Sequence, residues 1–126
     1  MIFGIGTDLV HIPRMRVLLE KHGDKFAQRI LSASEFECFQ TASQPAAFLA
    51  KRFAAKEATS KALGTGFRDG LSLKHISVNN DEKGKPELNF NDRGLSLLDE
   101  LNIGQAMLSL SDENEYAIAF VTLLER

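Results

Sequence analysis

Residues Pro45–Gly64, PAAFLAKRFAAKEATSKALG, set the frame for everything around them. The stretch is rich in alanine, has no internal glycine or proline, opens on Pro45 and closes on Gly64, which predicts one long helix over Pro45–Leu63. Proline suits a first helical turn, and glycine accepts the left-handed backbone of a C-terminal cap. The helix sets one carboxylate, Glu57, among the cations Lys51, Arg52, Lys56 and Lys61. Phe53, Glu57 and Lys61 recur at i, i+4 and i+8 and so share one side. Glu57 ahead of Lys61 is the favourable order for an exposed ion pair, which contributes only ~0.2–0.5 kcal/mol. A carboxylate and an ammonium one turn apart could equally hold a metal and a phosphate, and helical spacing alone is compatible with both.

Upstream, MIFGIGTDLV (Met1–Val10) predicts a first strand in which Gly4 and Gly6 permit close backbone approach, with Asp8 at or just past its end. Asp8 there is either a turn or N-cap residue, or the partner of Glu57 in holding Mg²⁺, a hard ion that takes one or two carboxylates and completes its shell with waters and phosphates. From Ile12 to His22 the positions Met15, Leu18, Leu19 and His22 follow helical spacing, and Gly23 ends that helix. DKFAQRIL gives a second short helix, and SEFECF, with Ser34 three residues before Glu37, carries a capping-box pattern that opens a third. After Gly64, GTGFRDG reads as a loop. HISVNN and PELNF flank DEKGK as a hairpin centred on Lys83-Gly84, and QAMLSLS and YAIAFVTLL flank DENE as a second. Between them NDRGLSLLDELN is amphipathic, with Leu95, Leu98 and Leu101 on one face. The order predicts an α+β fold: a small, largely antiparallel sheet packed against a long helix and several short ones.

With 126 residues the expectation is one domain, 1–126. A net charge of -2 and a pI near 5.9 argue against bulk binding to nucleic acid, which needs a basic surface to displace counterions. No apolar run approaches the ~20 residues that span a bilayer, so no membrane role is expected. A single cysteine and the lack of a leader-like start point to the cytoplasm. Cys38, between Phe36 and Phe39, is expected as a buried inert thiol, and Met15 and Met107 as core. The three histidines have no metal-ligand spacing. GIGTDL lacks the third glycine of a dinucleotide fingerprint, and GTGFRDG follows a helix rather than a strand, although its GTG could offer backbone N–H groups to a phosphate.

In this order, GIGTDLV, FLAKRFAAKEATSKALGTG, DEKGKP and SLSDENEYAIAFV resemble the holo-acyl-carrier-protein synthases, the small bacterial 4′-phosphopantetheinyl transferases. The resemblance spans essentially the whole chain. It implies an enzyme of fatty acid biosynthesis that moves the 4′-phosphopantetheine arm of coenzyme A onto a serine of apo acyl carrier protein and releases adenosine 3′,5′-bisphosphate. It implies that Asp8 and Glu57 hold Mg²⁺ and that Lys61 contacts the phosphates and assists the leaving group. It also puts Arg52 and Gly64-Thr65-Gly66 at the coenzyme A site, and Lys85-Pro86 near the nucleotide. A homotrimer with active sites at the subunit interfaces is implied as well. One departure stands out: many relatives carry a histidine directly after SLS, where this chain has Asp112, and an ionised aspartate cannot donate to a phosphate. The proton of the attacking serine is left to Glu57 or a metal-bound water, with the water preferred because a carboxylate committed to Mg²⁺ is a poorer base.

Arg14, Lys21 and Lys25, with Arg16 and Arg29 nearby, give the early helices a basic surface suited to steering an acidic carrier protein, or simply a solvated face. Another Mg²⁺-dependent phosphoryl or nucleotidyl transferase, and a non-enzymatic coenzyme A-binding module, are the competing readings.

Overall fold

A computed structural model describes residues 1–126. The elements follow in the order β1 (Ile2–His11), α1 (Ile12–His22), α2 (Asp24–Ile30), α3 (Ala33–Gln40), α4 (Pro45–Leu63), β2 (Ile76–Asn80), β3 (Pro86–Phe90), α5 (Asp92–Glu100), β4 (Ile103–Glu113) and β5 (Tyr116–Glu125), with a 3-10 turn at Leu73–His75. The α+β expectation holds, with every strand pair antiparallel. The strands divide into two sheets, however: β1-β5-β4, and the β2–β3 hairpin by itself.

The alternation of the larger sheet decides where α4 lies. On one face Gly6, Val10, Ala117, Ala119, Val121 and Leu123 are buried, and on the other Ile5, Leu9, Ile118 and Phe120 are exposed. Helix α4 packs on the buried face, against β1 and β5, while α1, α2 and α3 cover its other sides. This is why it is alanine-rich: Ala54, Ala55, Ala58 and Ala62 are all essentially sealed, and small residues let both layers approach. The strand matches them with glycine. A Cβ on Gly4 would sit 2.1 Å from the Ala62 carbonyl oxygen, and one on Gly6 only 1.9 Å from that of Ala58. The helix ends as its sequence predicts, at Gly64 with φ +81°.

Several local expectations are corrected. The capping box of α3 is built by Ser32 and Glu35 rather than Ser34 and Glu37. Ser32 Oγ accepts the Glu35 N–H at 3.4 Å, and Glu35 Oε1 accepts the Ser32 N–H at 2.9 Å. In α5 the face turned inward carries Gly94 and Leu97, with Leu98 and Leu101 half-buried, while Leu95 is exposed. A Cβ on Gly94 would lie 2.6 Å from the His75 carbonyl oxygen, so this close approach to the 3-10 turn fixes the rotation of the helix. Met107 points to the open face of the sheet because Ala106 and Leu108, its neighbours on β4, take the inner side. Cys38 is exposed, since Phe39 is the residue that α3 buries there.

Candidate active site

Asp8 lies within β1, opposite Ala119 on β5, rather than at the end of the strand. It caps no helix: the N-cap of α1 is His11, which makes no side-chain capping bond. Strand alternation puts Asp8 on the same face as Gly6 and Val10, and there it meets α4. Lys61 Nζ donates to Asp8 Oδ1 at 3.0 Å and to the Thr7 carbonyl oxygen at 3.0 Å. The simple i, i+4 pair with Glu57 is therefore not what Lys61 forms; it crosses to the strand instead.

Glu57 stands one turn before Lys61, half-buried. Burial raises its carboxyl pKa, the negative charge of Asp8 raises it further, and Lys61 offsets part of this. Two carboxylates distant in sequence thus lie beside one ammonium, where burial and the charge of Asp8 disfavour the ionised form of Glu57. No third acidic, histidine or cysteine ligand completes a cage around them. Such a donor set fits a hard divalent cation that fills its remaining positions with waters or phosphate oxygens. Asp8 and Glu57 would hold it and Lys61 would sit beside it.

Two of the helix's cations are not surface groups. Lys56 is fully buried, where its Nζ donates to Glu35 Oε1 and to the Ile30 carbonyl oxygen, both at 2.6 Å. Glu35 Oε2 also accepts the Val78 N–H at 2.7 Å, so this one carboxylate ties together α3, α4 and β2. Arg52, expected at the coenzyme A site, is 93% removed from solvent if its 7% residual exposure is counted. Its guanidinium lies 4.4 Å from the Phe48 ring centroid, and its Nε is 3.9 Å from Glu35 Oε2, buried and without a hydrogen-bond partner. Burial lowers the pKa of both Arg52 and Lys56, and Glu35 offsets it in each case. Sequence reading missed Glu35; the only signal was the second, overlapping Ser-x-x-Glu pattern at Ser32–Glu35.

The other expected residues are dispersed. Gly64 caps α4 and Thr65 and Gly66 continue into the loop, where the Gly66 N–H is already committed to the Ser60 carbonyl oxygen at 3.2 Å. Lys85 and Pro86 sit at the β2–β3 turn, with the Lys85 N–H on Asp81 Oδ1 at 2.9 Å, and no hydrogen bond or ion pair links them to Asp8, Glu57 or Lys61. Arg14 and Lys21 on α1 and Lys25 on α2 are exposed, but Gly23, at φ +65°, breaks the register that would have aligned them. Asp112 forms an ion pair with Lys51 at 3.6 Å. A cleft of about 1100 Å³ lies between α1, the start of α4 and the β4–β5 turn, and neither Asp8, Glu57 nor Lys61 lines it.

Comparison with known proteins identifies the family and the fold. A model of the 4′-phosphopantetheinyl transferase superfamily matches residues 4–121. A holo-[acyl-carrier-protein] synthase of Nitrosococcus oceani is 54% identical over 124 residues, covering 98% of this chain and 80% of that protein. The crystal structure of the holo-[acyl-carrier-protein] synthase of Neisseria meningitidis superposes with a TM-score of 0.93 at 45% identity, over 99% of this chain and 100% of that one. That of Helicobacter pylori, solved in complex with coenzyme A, gives a TM-score of 0.83 at 32% identity, over 95% and 99% of the two chains.

Proposed function

Since the chain belongs to the holo-acyl-carrier-protein synthases of the 4′-phosphopantetheinyl transferase superfamily, we propose that Asp8, Glu57 and Lys61 form its reaction centre. The enzyme transfers 4′-phosphopantetheine from coenzyme A to a serine of apo acyl carrier protein and releases adenosine 3′,5′-bisphosphate. The observation that carries the site is the 3.0 Å contact by which Lys61 of α4 meets Asp8 of β1, one helical turn from Glu57.

The serine hydroxyl oxygen attacks the phosphorus that bears the pantetheine arm, its proton passes to water, and the bond from that phosphorus to the bridging pyrophosphate oxygen breaks, so that the other phosphate leaves on adenosine 3′,5′-bisphosphate. Charge grows on the departing phosphate, so the chain must supply position and positive potential rather than covalent chemistry. Lys61, oriented by Asp8 and the Thr7 carbonyl oxygen, offers its ammonium to that oxygen. Asp8 and Glu57 hold Mg²⁺, which when bound neutralises charge on the pyrophosphate. Arg52, Gly64, Thr65, Lys85 and Pro86 form the coenzyme A contacts; for Arg52 this is supported by a guanidinium whose Nε has no hydrogen-bond partner and whose one ion pair, with Glu35, is long at 3.9 Å. Arg14, Lys21 and Lys25, all exposed, receive the acidic carrier.

The chain works as one transferase domain, in the cytoplasm and as a homotrimer. Self-association is supported by the open face of the larger sheet, where Ile5, Leu9, Met107, Ile118 and Phe120 keep between 43% and 61% of their surface exposed. No helix is long and apolar enough to cross a membrane. Incubation with apo acyl carrier protein, coenzyme A and Mg²⁺, read by intact mass, tests the reading. A phosphopantetheine-sized gain is expected; a different adduct would indicate another phosphoryl or nucleotidyl transfer, and coenzyme A binding with no adduct would indicate a binding module.

A further inference from the structure

Glu35, Lys56 and Arg52 bring one carboxylate and two cations together in the interior, with relative exposures of 1%, 0% and 7%. Two positive charges against one negative leave the cluster a charge short. Lys56 already holds the carboxylate: two of its three N–H groups donate, to Glu35 Oε1 and to the Ile30 carbonyl oxygen, at 2.6 Å each. The unbalanced charge therefore falls on Arg52, whose Nε is buried without a partner 3.9 Å from Glu35 Oε2. Glu35 cannot move closer, because the Ser32 and Val78 N–H groups pin its two oxygens at 2.9 and 2.7 Å. The guanidinium is thus held from two sides: its Cζ lies over the Phe48 ring, 4.4 Å from the centroid, and Glu35 draws on its Nε. No other ion pair and no hydrogen bond within the chain engages the guanidinium.

We propose that Glu35 is a positioning residue for the transfer reaction, holding Arg52 in place so that a phosphate of coenzyme A completes the half-balanced cluster. The proposal rests on the reading of Arg52 as a coenzyme A contact. A buried carboxylate that fixes a ligand-binding cation acts on substrate affinity, because it lowers the ordering that binding must otherwise impose. A carboxylate that served only to pair Lys56 would act on stability alone.

The test separates these roles in the full-length enzyme with apo acyl carrier protein, below the melting temperature of every variant. Glu35→Gln is expected to raise the KM for coenzyme A about tenfold with kcat changed by no more than about twofold. Lys56→Met breaks the same buried pair but leaves Glu35 beside Arg52, and is expected to lose thermal stability while its KM stays within about twofold of wild type. Should Glu35→Gln fold poorly, the Glu35→Gln/Lys56→Met double variant makes the buried pair neutral and is expected to restore folding while keeping the raised KM. Arg52→Gln alone is expected to raise the KM to a similar degree, and adding Glu35→Gln to it should change little further. A raised KM in Arg52→Gln with a wild-type KM in Glu35→Gln, or fully multiplicative effects in the double variant, overturns the role of Glu35. An unchanged KM in Arg52→Gln overturns the assignment of Arg52 beneath it.

Discussion

Burial and the neighbouring charge of Asp8 both hold the Glu57 carboxyl above its usual pKa, and Lys61 offsets only part of that. A carboxylate with a raised folded pKa makes the folded state bind more protons than the unfolded one. Its contribution is most favourable at low pH and declines as pH rises from the ordinary carboxylate range through the raised value. In metal-free enzyme Glu57→Gln is therefore expected to melt no lower than wild type at pH 7, and to lose less stability than wild type as pH rises from 4 to 7. A variant that melts several degrees below wild type at pH 7 would show that Glu57 serves the fold. Mg²⁺ should raise the melting temperature of the wild type, and this gain should vanish in Asp8→Asn. For Lys61→Ala the expectation is a kcat loss of about 10²–10⁴ with a stability change under about 1 kcal/mol, because its pair with Asp8 is largely exposed on the lysine side. That Asp8, Glu57 and Lys61 meet was legible because the last two sit at helical spacing and all three fall in motifs of the resembled family. Glu35 was not, because a lysine on an alanine-rich helix reads as a surface cation until the fold puts a carboxylate beneath it.

Between elements, the contact of β1 with α4 determines whether the site exists. Asp8 and Gly6 share a face of β1, so whatever separates Gly6 from Ala58 also moves Asp8 from Lys61 and Glu57. Gly6→Ala is expected to destabilise the fold by about 1–3 kcal/mol through overpacking and to lower transfer as well, measured by denaturant titration and by turnover. Unchanged stability would mean that the helix and strand yield more readily than backbone packing at 1.9 Å implies. The bounds of α4 could be read from Pro45 and Gly64, and those of α1 from its spacing and Gly23. The register of short elements could not. Two Ser-x-x-Glu patterns overlap at Ser32–Glu37, and burial of Glu35 chose between them. In α5, leucines spaced by three fit either of two faces, and the close approach of Gly94 to His75 chose the one that leaves Leu95 outside.

Over the molecule as a whole, the larger sheet is covered on one side only. Leu9, Ile118 and Phe120 are apolar where a strand facing water would alternate to polar, and Met107, expected in the core, joins them. A second and third copy of the chain covering this face would make that reading right in the assembly. Phe120→Glu is expected to convert a trimer to monomer in light scattering and to depress transfer if sites are completed across the interface; a monomeric wild type would remove the basis for this. The measurement closest to the centre of the mechanism is the intact mass of apo acyl carrier protein after incubation with coenzyme A, Mg²⁺ and either wild-type enzyme or folded Asp8→Asn and Glu57→Gln variants. The wild type should convert the carrier to its phosphopantetheinylated form while both variants leave it essentially unmodified over the same interval. Conversion by both variants at the wild-type rate would contradict the assignment of these carboxylates to the reaction centre.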